Sequence, residues 1–231
     1  LGARGNSGVI LSQIFRGFSQ ALEGKNEIDV MDFARAWDRG REVAYKAVMK
    51  PVEGTILTVI RESSEALLTN VDNYNSLGKG FAFMIEEAKK SLQRTPDLLP
   101  ILKEAGVVDA GGAGLIKVFE GMLSSLNGIL IERQQITIQP EKVETSMAAA
   151  AMGHEEFGYC TEFILKLEPG KKPYNQEKFQ MALESLGDSL VLVQDDDIVK
   201  VHVHTMKPGV ALNYAQSYGE FITLKIENMT E

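Results

Sequence analysis

The spacing of apolar residues changes once along this chain, and that change divides it in two. From residue 7 to about 130, apolar side chains recur three and four apart, as in helices that bury one stripe. Val9, Ile10, Ile14, Phe15, Phe18 and Leu22 predict a first helix, stopped by Gly24. Asp29 can cap a second, which carries Phe33, Ala36, Trp37, Ala44 and Val48 and ends by Pro51. Residues 55–68, 76–92, 97–105 and 113–130 predict four more. After Tyr159 the period is two. Residues 159–167 read as a strand and 175–186 as a helix. Residues 189–193 and 198–204 form a predicted hairpin around Asp195, Asp196 and Asp197. Residues 208–218 then give a helix with proline at its start, and 221–227 a last strand.

Between the two regimes, residues 132–156 keep no period and read as a linker, with His154 solvated in it. The fold expected is multidomain, α plus α/β. Residues 1–131 form a helical domain and 157–231 a small α/β domain. The order β-α-β-β-α-β in the latter is the split βαβ of ferredoxin-like domains.

Composition narrows the class. The 231 residues suffice for two modest cores, and 44% hydrophobic with 24% charged residues is ordinary for a soluble protein. A net charge of −8 argues against a partner recognised through its phosphate backbone or an anionic membrane surface. The single cysteine, Cys160, excludes an intramolecular disulfide, and no apolar run approaches a membrane span, so a cytoplasmic location is expected. The chain opens at Leu1, one residue before a glycine motif, and is expected to be a piece of a longer protein.

Three glycine-bearing turns precede predicted helices. Gly2-Ala3-Arg4-Gly5-Asn6-Ser7-Gly8 leads into the first, Pro51-Val52-Glu53-Gly54-Thr55 into the third, and Val108-Asp109-Ala110-Gly111-Gly112-Ala113-Gly114 into the sixth. Glycine lets a backbone approach a ligand closely, and a helix start presents free N–H groups and the positive end of its dipole, which suits a polyphosphate. Each turn also has a plainer use. Thr55 and Asp109 are good N-caps, and glycine at a helix start also permits close packing. Neither the P-loop nor the dinucleotide-binding glycine pattern is present.

In the second region, His202 and His204 stand two apart on a predicted strand and so share a face. The expected strand order places them beside Cys160. One thiolate and two imidazoles suit zinc, with water or a carboxylate as fourth ligand. The pattern alone leaves ahead the plainer reading, a buried free cysteine and two surface histidines. The acidic turn at 195–197 reads as a solvated hairpin.

The three glycine motifs, taken in order, resemble the nucleotide-binding domain of dihydroxyacetone kinases. With Gly158-Tyr159-Cys160-Thr161-Glu162 and Val201-His202-Val203-His204-Thr205 downstream, the closer resemblance is to the nucleotide-binding subunit of bacterial fatty acid kinase. That resemblance implies an all-helical barrel holding ATP with Mg2+, and phosphoryl transfer to a fatty acid presented by a carrier protein, giving an acyl phosphate. It implies that Gly5, Asn6, Ser7 and Gly8 cradle phosphates, that Thr55, Asp109, Gly111 and Gly112 complete the nucleotide pocket, and that Cys160, His202 and His204 bind Zn2+. The carboxylates that hold magnesium in that family lie upstream of the first motif, so the chain by itself is expected to be inactive. Two alternatives stand beside this reading: a phosphotransferase of the dihydroxyacetone kinase type, and a non-catalytic metal-binding scaffold. A homodimer through the small domain's open sheet face is a further expectation.

Overall fold

The computed structural model describes residues 5–48, 50–129 and 158–229. These fall into two compact units. One comprises the described residues of 10–45 and 51–153; the other those of 1–9, 46–50 and 154–231. The predicted linker at 132–156 lies outside the described residues.

The helical segments described are α1 (Gly5–Ala21), α2 (Val30–Ala47), α3 (Ile56–Thr69), α4 (Leu77–Leu98), α5 (Pro100–Ala105) and α6 (Ala110–Leu126), with a 3-10 turn at Val71–Asn73. Their starts follow local chemistry. Asp29 accepts the Asp32 N–H, Thr55 that of Leu57, Ser76 that of Lys79 and Asp109 that of Gly112. α4 runs six residues past the predicted end at 92, and Pro96 sits inside it. α6 begins three residues earlier than the periodicity indicates, because Asp109 caps at that point and glycine is tolerated in the first turn. The core of the helical unit is aromatic. Trp37 is fully buried, 4.7 Å from Phe119 and 4.3 Å from Phe18 between ring centroids, and stacks on Phe81. Among the described residues no helix is long and apolar enough to cross a membrane.

The second unit holds β1 (Tyr159–Leu167), α7 (Gln176–Glu184), β2 (Asp188–Asp195), β3 (Ile198–Thr205), α8 (Pro208–Gln216) and β4 (Gly219–Asn228), in the predicted order. The sheet order is β2-β3-β1-β4, with every neighbouring pair antiparallel. Leu165, Val199, Val201 and Val203 point to one face, where Phe179 and Leu183 of α7 and Ala211 and Ala215 of α8 complete a dry core. Alternate residues of β1 and β3 therefore point to the other face. Within this unit Val48 bridges to Val191, and Val9 packs with Val191 and Val193.

Candidate functional site

On the sheet face away from α7 and α8, β1 and β3 set Cys160 opposite His204 and Glu162 opposite His202. Two cross-strand pairs, side by side, make a block of four polar side chains. His202 Nε2 lies 3.1 Å from His204 Nε2, and His202 Nδ1 lies 3.8 Å from Cys160 Sγ and 2.8 Å from Glu162 Oε1. One ligand atom each from Cys160, His202 and His204 falls within 4.8 Å of the other two. The structure thus brings together the three residues that the sequence singled out.

Burial governs their protonation. It pushes the Cys160 thiol up to about 11, with the Glu162 and Glu227 carboxylates adding to the effect. It lowers His204 to about 4, helped by the neighbouring His202, and it lowers His202 although Glu162 acts in the other direction. At neutral pH both imidazoles are neutral and carry lone pairs, and the thiol keeps its proton until a cation replaces it. Two nitrogens and a sulfur in that state fit a zinc-like ion. Glu162, which the sequence pattern does not mark as a ligand, is the addition. Its side chain is 12% exposed and that of His202 4%, so their bond is largely shielded from water.

The helical unit joins two of the three glycine turns. Thr55 caps α3 and also donates its hydroxyl to the Val52 carbonyl at 2.7 Å. Asp109 caps α6, with Oδ2 accepting the Gly112 N–H at 2.6 Å. The Ile56 and Gly111 N–H groups also favour the charged form of this carboxyl group, so its charge is felt at the start of α3 as well as that of α6. The Asp109 N–H in turn donates to Thr95 Oγ1 at 3.1 Å. Burial raises the Asp109 pKa despite these N–H groups. Gly54, at φ +82°, leaves no space for a side chain: a Cβ there would meet Leu99 Cβ at 2.7 Å and the Thr95 carbonyl oxygen at 2.9 Å. Gly112 likewise faces Val59, whose Cγ2 would stand 2.8 Å from an added Cβ.

Beside the Gly54 turn lies a network that the sequence did not reveal. Glu53 accepts from Thr58 Oγ1 at 2.5 Å, Arg61 Nη2 at 2.9 Å and Tyr45 Oη at 3.1 Å, and Arg61 Nε donates to Tyr45 Oη. Glu53 is held below its ordinary pKa by Thr58 and Arg61 against its own burial, whereas burial pushes Tyr45 up to about 12.

Gly5, Asn6, Ser7 and Gly8 form the first turn of α1 itself, where a loop leading into the helix was expected. Residues 2–4 of that motif lie outside the described residues. Gly5 to Gly8 group with the α/β unit, whereas Thr55, Asp109, Gly111 and Gly112 belong to the helical unit. Asn6 Oδ1 is buried without a hydrogen-bond partner, the kind of atom that a ligand satisfies. One open groove lies between the end of α1 and α2, lined by Glu23, Lys25, Asp32, Arg35 and Arg39, and another lies along α1, lined by Phe15, Phe18 and Leu22; no candidate residue lines either.

Comparison with known proteins agrees in both regions. Residues 1–124 match the DAK2 domain, and residues 156–231 match the FakA-like middle domain of fatty acid kinases. Among curated relatives, an uncharacterized protein of Staphylococcus saprophyticus is 46% identical over 235 residues, and Protein YloV of Bacillus subtilis 45% over 237. An uncharacterized protein of Staphylococcus aureus is 44% identical over 235 residues. Each alignment covers 100% of this chain and 43% of the relative, so the chain spans less than half the length of the proteins it matches.

Proposed function

The chain belongs to the family that joins a DAK2 domain to a FakA-like middle domain, and from that membership we propose that the whole protein is the nucleotide-binding component of a cytoplasmic kinase. Its reaction transfers the γ-phosphoryl group of ATP to the carboxylate of a fatty acid held by a separate carrier protein, giving an acyl phosphate. The observation that carries this reading is the pairing, in one chain, of the DAK2 match with the fatty acid kinase-type middle domain. A small-triose kinase reading draws on the first match alone.

In this proposal the helical unit is part of a helical barrel that binds nucleotide. Backbone N–H groups in the first turn of α1, with Asn6 and Ser7, face the phosphates. The Thr55 turn and the Asp109 to Gly112 turn of the helical unit are its further nucleotide-contacting segments in this reading. Support for the latter comes from the Asp109 cap on α6 and from the close approach of Gly112 to Val59 of α3. Magnesium, when bound with ATP, neutralises charge between the β- and γ-oxygens. The α/β unit is ferredoxin-like in this reading, as its element order and antiparallel β2-β3-β1-β4 sheet suggest. Its Cys160, His202 and His204 hold a structural zinc ion.

The test is a phosphoryl-transfer assay on the full-length protein, with lipid-loaded carrier and dihydroxyacetone offered side by side. Acyl phosphate formed only with the carrier supports the proposal. Transfer to the triose, or ATP binding with no transfer to either, overturns it.

A further inference from the structure

The block of four side chains on the sheet contains three groups of ligand type and one carboxylate, and strand register together with the contact distances points to different roles for them. A tetrahedral zinc ion with ligands at about 2.0–2.1 Å sets any two nitrogen or oxygen ligands about 3.3 Å apart. The His202 Nε2 to His204 Nε2 separation, 3.1 Å, is close to that edge and is also a hydrogen-bond length, while Cys160 Sγ lies 3.8 Å from His202 Nδ1. The Glu162 Oε1 to His202 Nδ1 separation, 2.8 Å, is a hydrogen-bond length and too short for such an edge. Glu162 and His202 are also direct cross-strand partners, so the register of β1 against β3 builds their contact into the sheet.

We propose that Glu162 is the positioning residue of this centre: its carboxylate accepts the Nδ1–H of His202, fixes that tautomer, and so turns the Nε2 lone pair toward the ion shared with His204 and Cys160. The inference rests on the metal reading of those three residues. A neutral imidazole carries one proton, and placing it on Nδ1 leaves Nε2 free to ligate. The negative charge behind the ring makes the ligating nitrogen more basic, as carboxylates do behind other metal-bound histidines. A carboxylate that was itself a ligand would compete for the same lone-pair space; one hydrogen-bonded to the ring leaves the fourth position to water or another group.

Zinc and cobalt titrations of the chain, unsubstituted and as Glu162→Gln and Glu162→Ala, test this, together with nitrogen NMR of His202 before metal is added. The unsubstituted metal-free chain should show His202 protonated at Nδ1. Glu162→Ala should release that tautomer and weaken zinc binding by about 10- to 100-fold. Glu162→Gln, whose amide oxygen still accepts the Nδ1–H, should keep the tautomer and lose less affinity. The visible bands of bound cobalt should keep their four-coordinate, thiolate-containing form in both variants.

Cobalt bands that shift in Glu162→Gln as a ligand is replaced would make Glu162 a ligand and overturn the proposal. So would zinc affinity and a His202 tautomer that are the same in all three proteins. Failure of the unsubstituted chain to take up either metal would instead bring down the metal reading itself. Circular dichroism of the metal-free variants checks that the sheet is intact, and Glu162→Gln carries the test if Glu162→Ala does not fold.

Discussion

The turn pair of the helical unit and the side-chain block on the sheet solve opposite problems. At the start of α3 and α6, polar groups find partners inside the protein: Asp109 takes backbone N–H groups, Thr55 takes Leu57 and gives to Val52, and Glu53 gathers Thr58, Arg61 and Tyr45. Its shape is held by backbone geometry and needs no guest. On the sheet, two neutral imidazoles and a protonated thiol are pressed together, with Glu162 hydrogen-bonded to His202. Without an ion one imidazole N–H can donate to the other ring's lone pair; a bound cation would replace that proton and take both lone pairs. The first region is therefore rigid before it binds anything, and the second is completed by what it binds.

The largest expected effect breaks the second region alone. Replacing Cys160 or His202 by alanine should weaken zinc binding by well over about 100-fold, measured by competition with a chromophoric chelator, because a direct ligand matters more than the groups behind it. Protonation gives the same test a slope. The metal displaces the thiol proton, and the imidazoles hold none to displace once pH exceeds their lowered values, about 4 for His204. Affinity should therefore rise about tenfold per pH unit from there toward the thiol value of about 11. A flat profile across neutral pH would remove Cys160 from the ligand set. The second effect strikes the rigid region. Gly54→Ala forces a side chain into left-handed backbone and against Leu99 and Thr95, and should lower stability by about 2–4 kcal/mol in thermal or urea unfolding.

How far each region could be read in advance follows from the same contrast. Helix starts are local events, so Asp29, Thr55 and Asp109 announced three of them. β1 matches its predicted limits, and the β2–β3 turn falls at the acidic run, with Asp196 at φ +50° and its neighbours exposed. The bond from the Asp109 N–H to Thr95 Oγ1 and the approach of Gly112 to Val59 are non-local, and nothing in the glycine motifs names them. The contact of Glu162 with His202 was hidden for a similar reason. The position of Glu162 two residues after Cys160 puts it on the right face, but only the pairing of β1 with β3 puts it opposite His202 rather than one pair away. Glycine misled in one respect: Gly8, Gly111, Gly112 and Gly114 read as breaks between helices, yet lie within α1 and α6. At Gly112 the close approach of Val59 explains why a helix accepts it.

Asp109 sharpens the comparison further. Asp109→Ala should cost about 1–2 kcal/mol, the loss of a half-buried N-cap. Its raised pKa adds a sign. A carboxyl group that holds its proton more tightly when folded favours the folded chain below the unfolded value near 4, and that contribution is lost as pH rises through the raised folded value. Asp109→Asn, which keeps an oxygen for the Gly112 N–H and cannot ionise, should abolish this fall in unfolding scans from about pH 3 to 6.

The smallest effect is expected from Arg61. Its guanidinium reaches Glu53 at 2.9 Å, Glu62 at 3.7 Å and Glu65 at 3.9 Å, but it is 31% exposed and Glu53 44%. Ion pairs so open to water are worth about 0–1 kcal/mol and weaken with salt. Arg61→Ala should therefore lower stability by less than about 1 kcal/mol, with the difference shrinking between low and high ionic strength. The network's position gives the measurement a second edge. Glu53 adjoins Gly54 and Thr55, so if the turn is part of a nucleotide wall, Arg61→Ala in the full-length protein should weaken ATP binding by a larger factor than its small stability loss implies. Equal, small losses in both would mean that the rigid region keeps its shape through Gly54 and Asp109 alone, and that the network around Glu53 is ordinary surface.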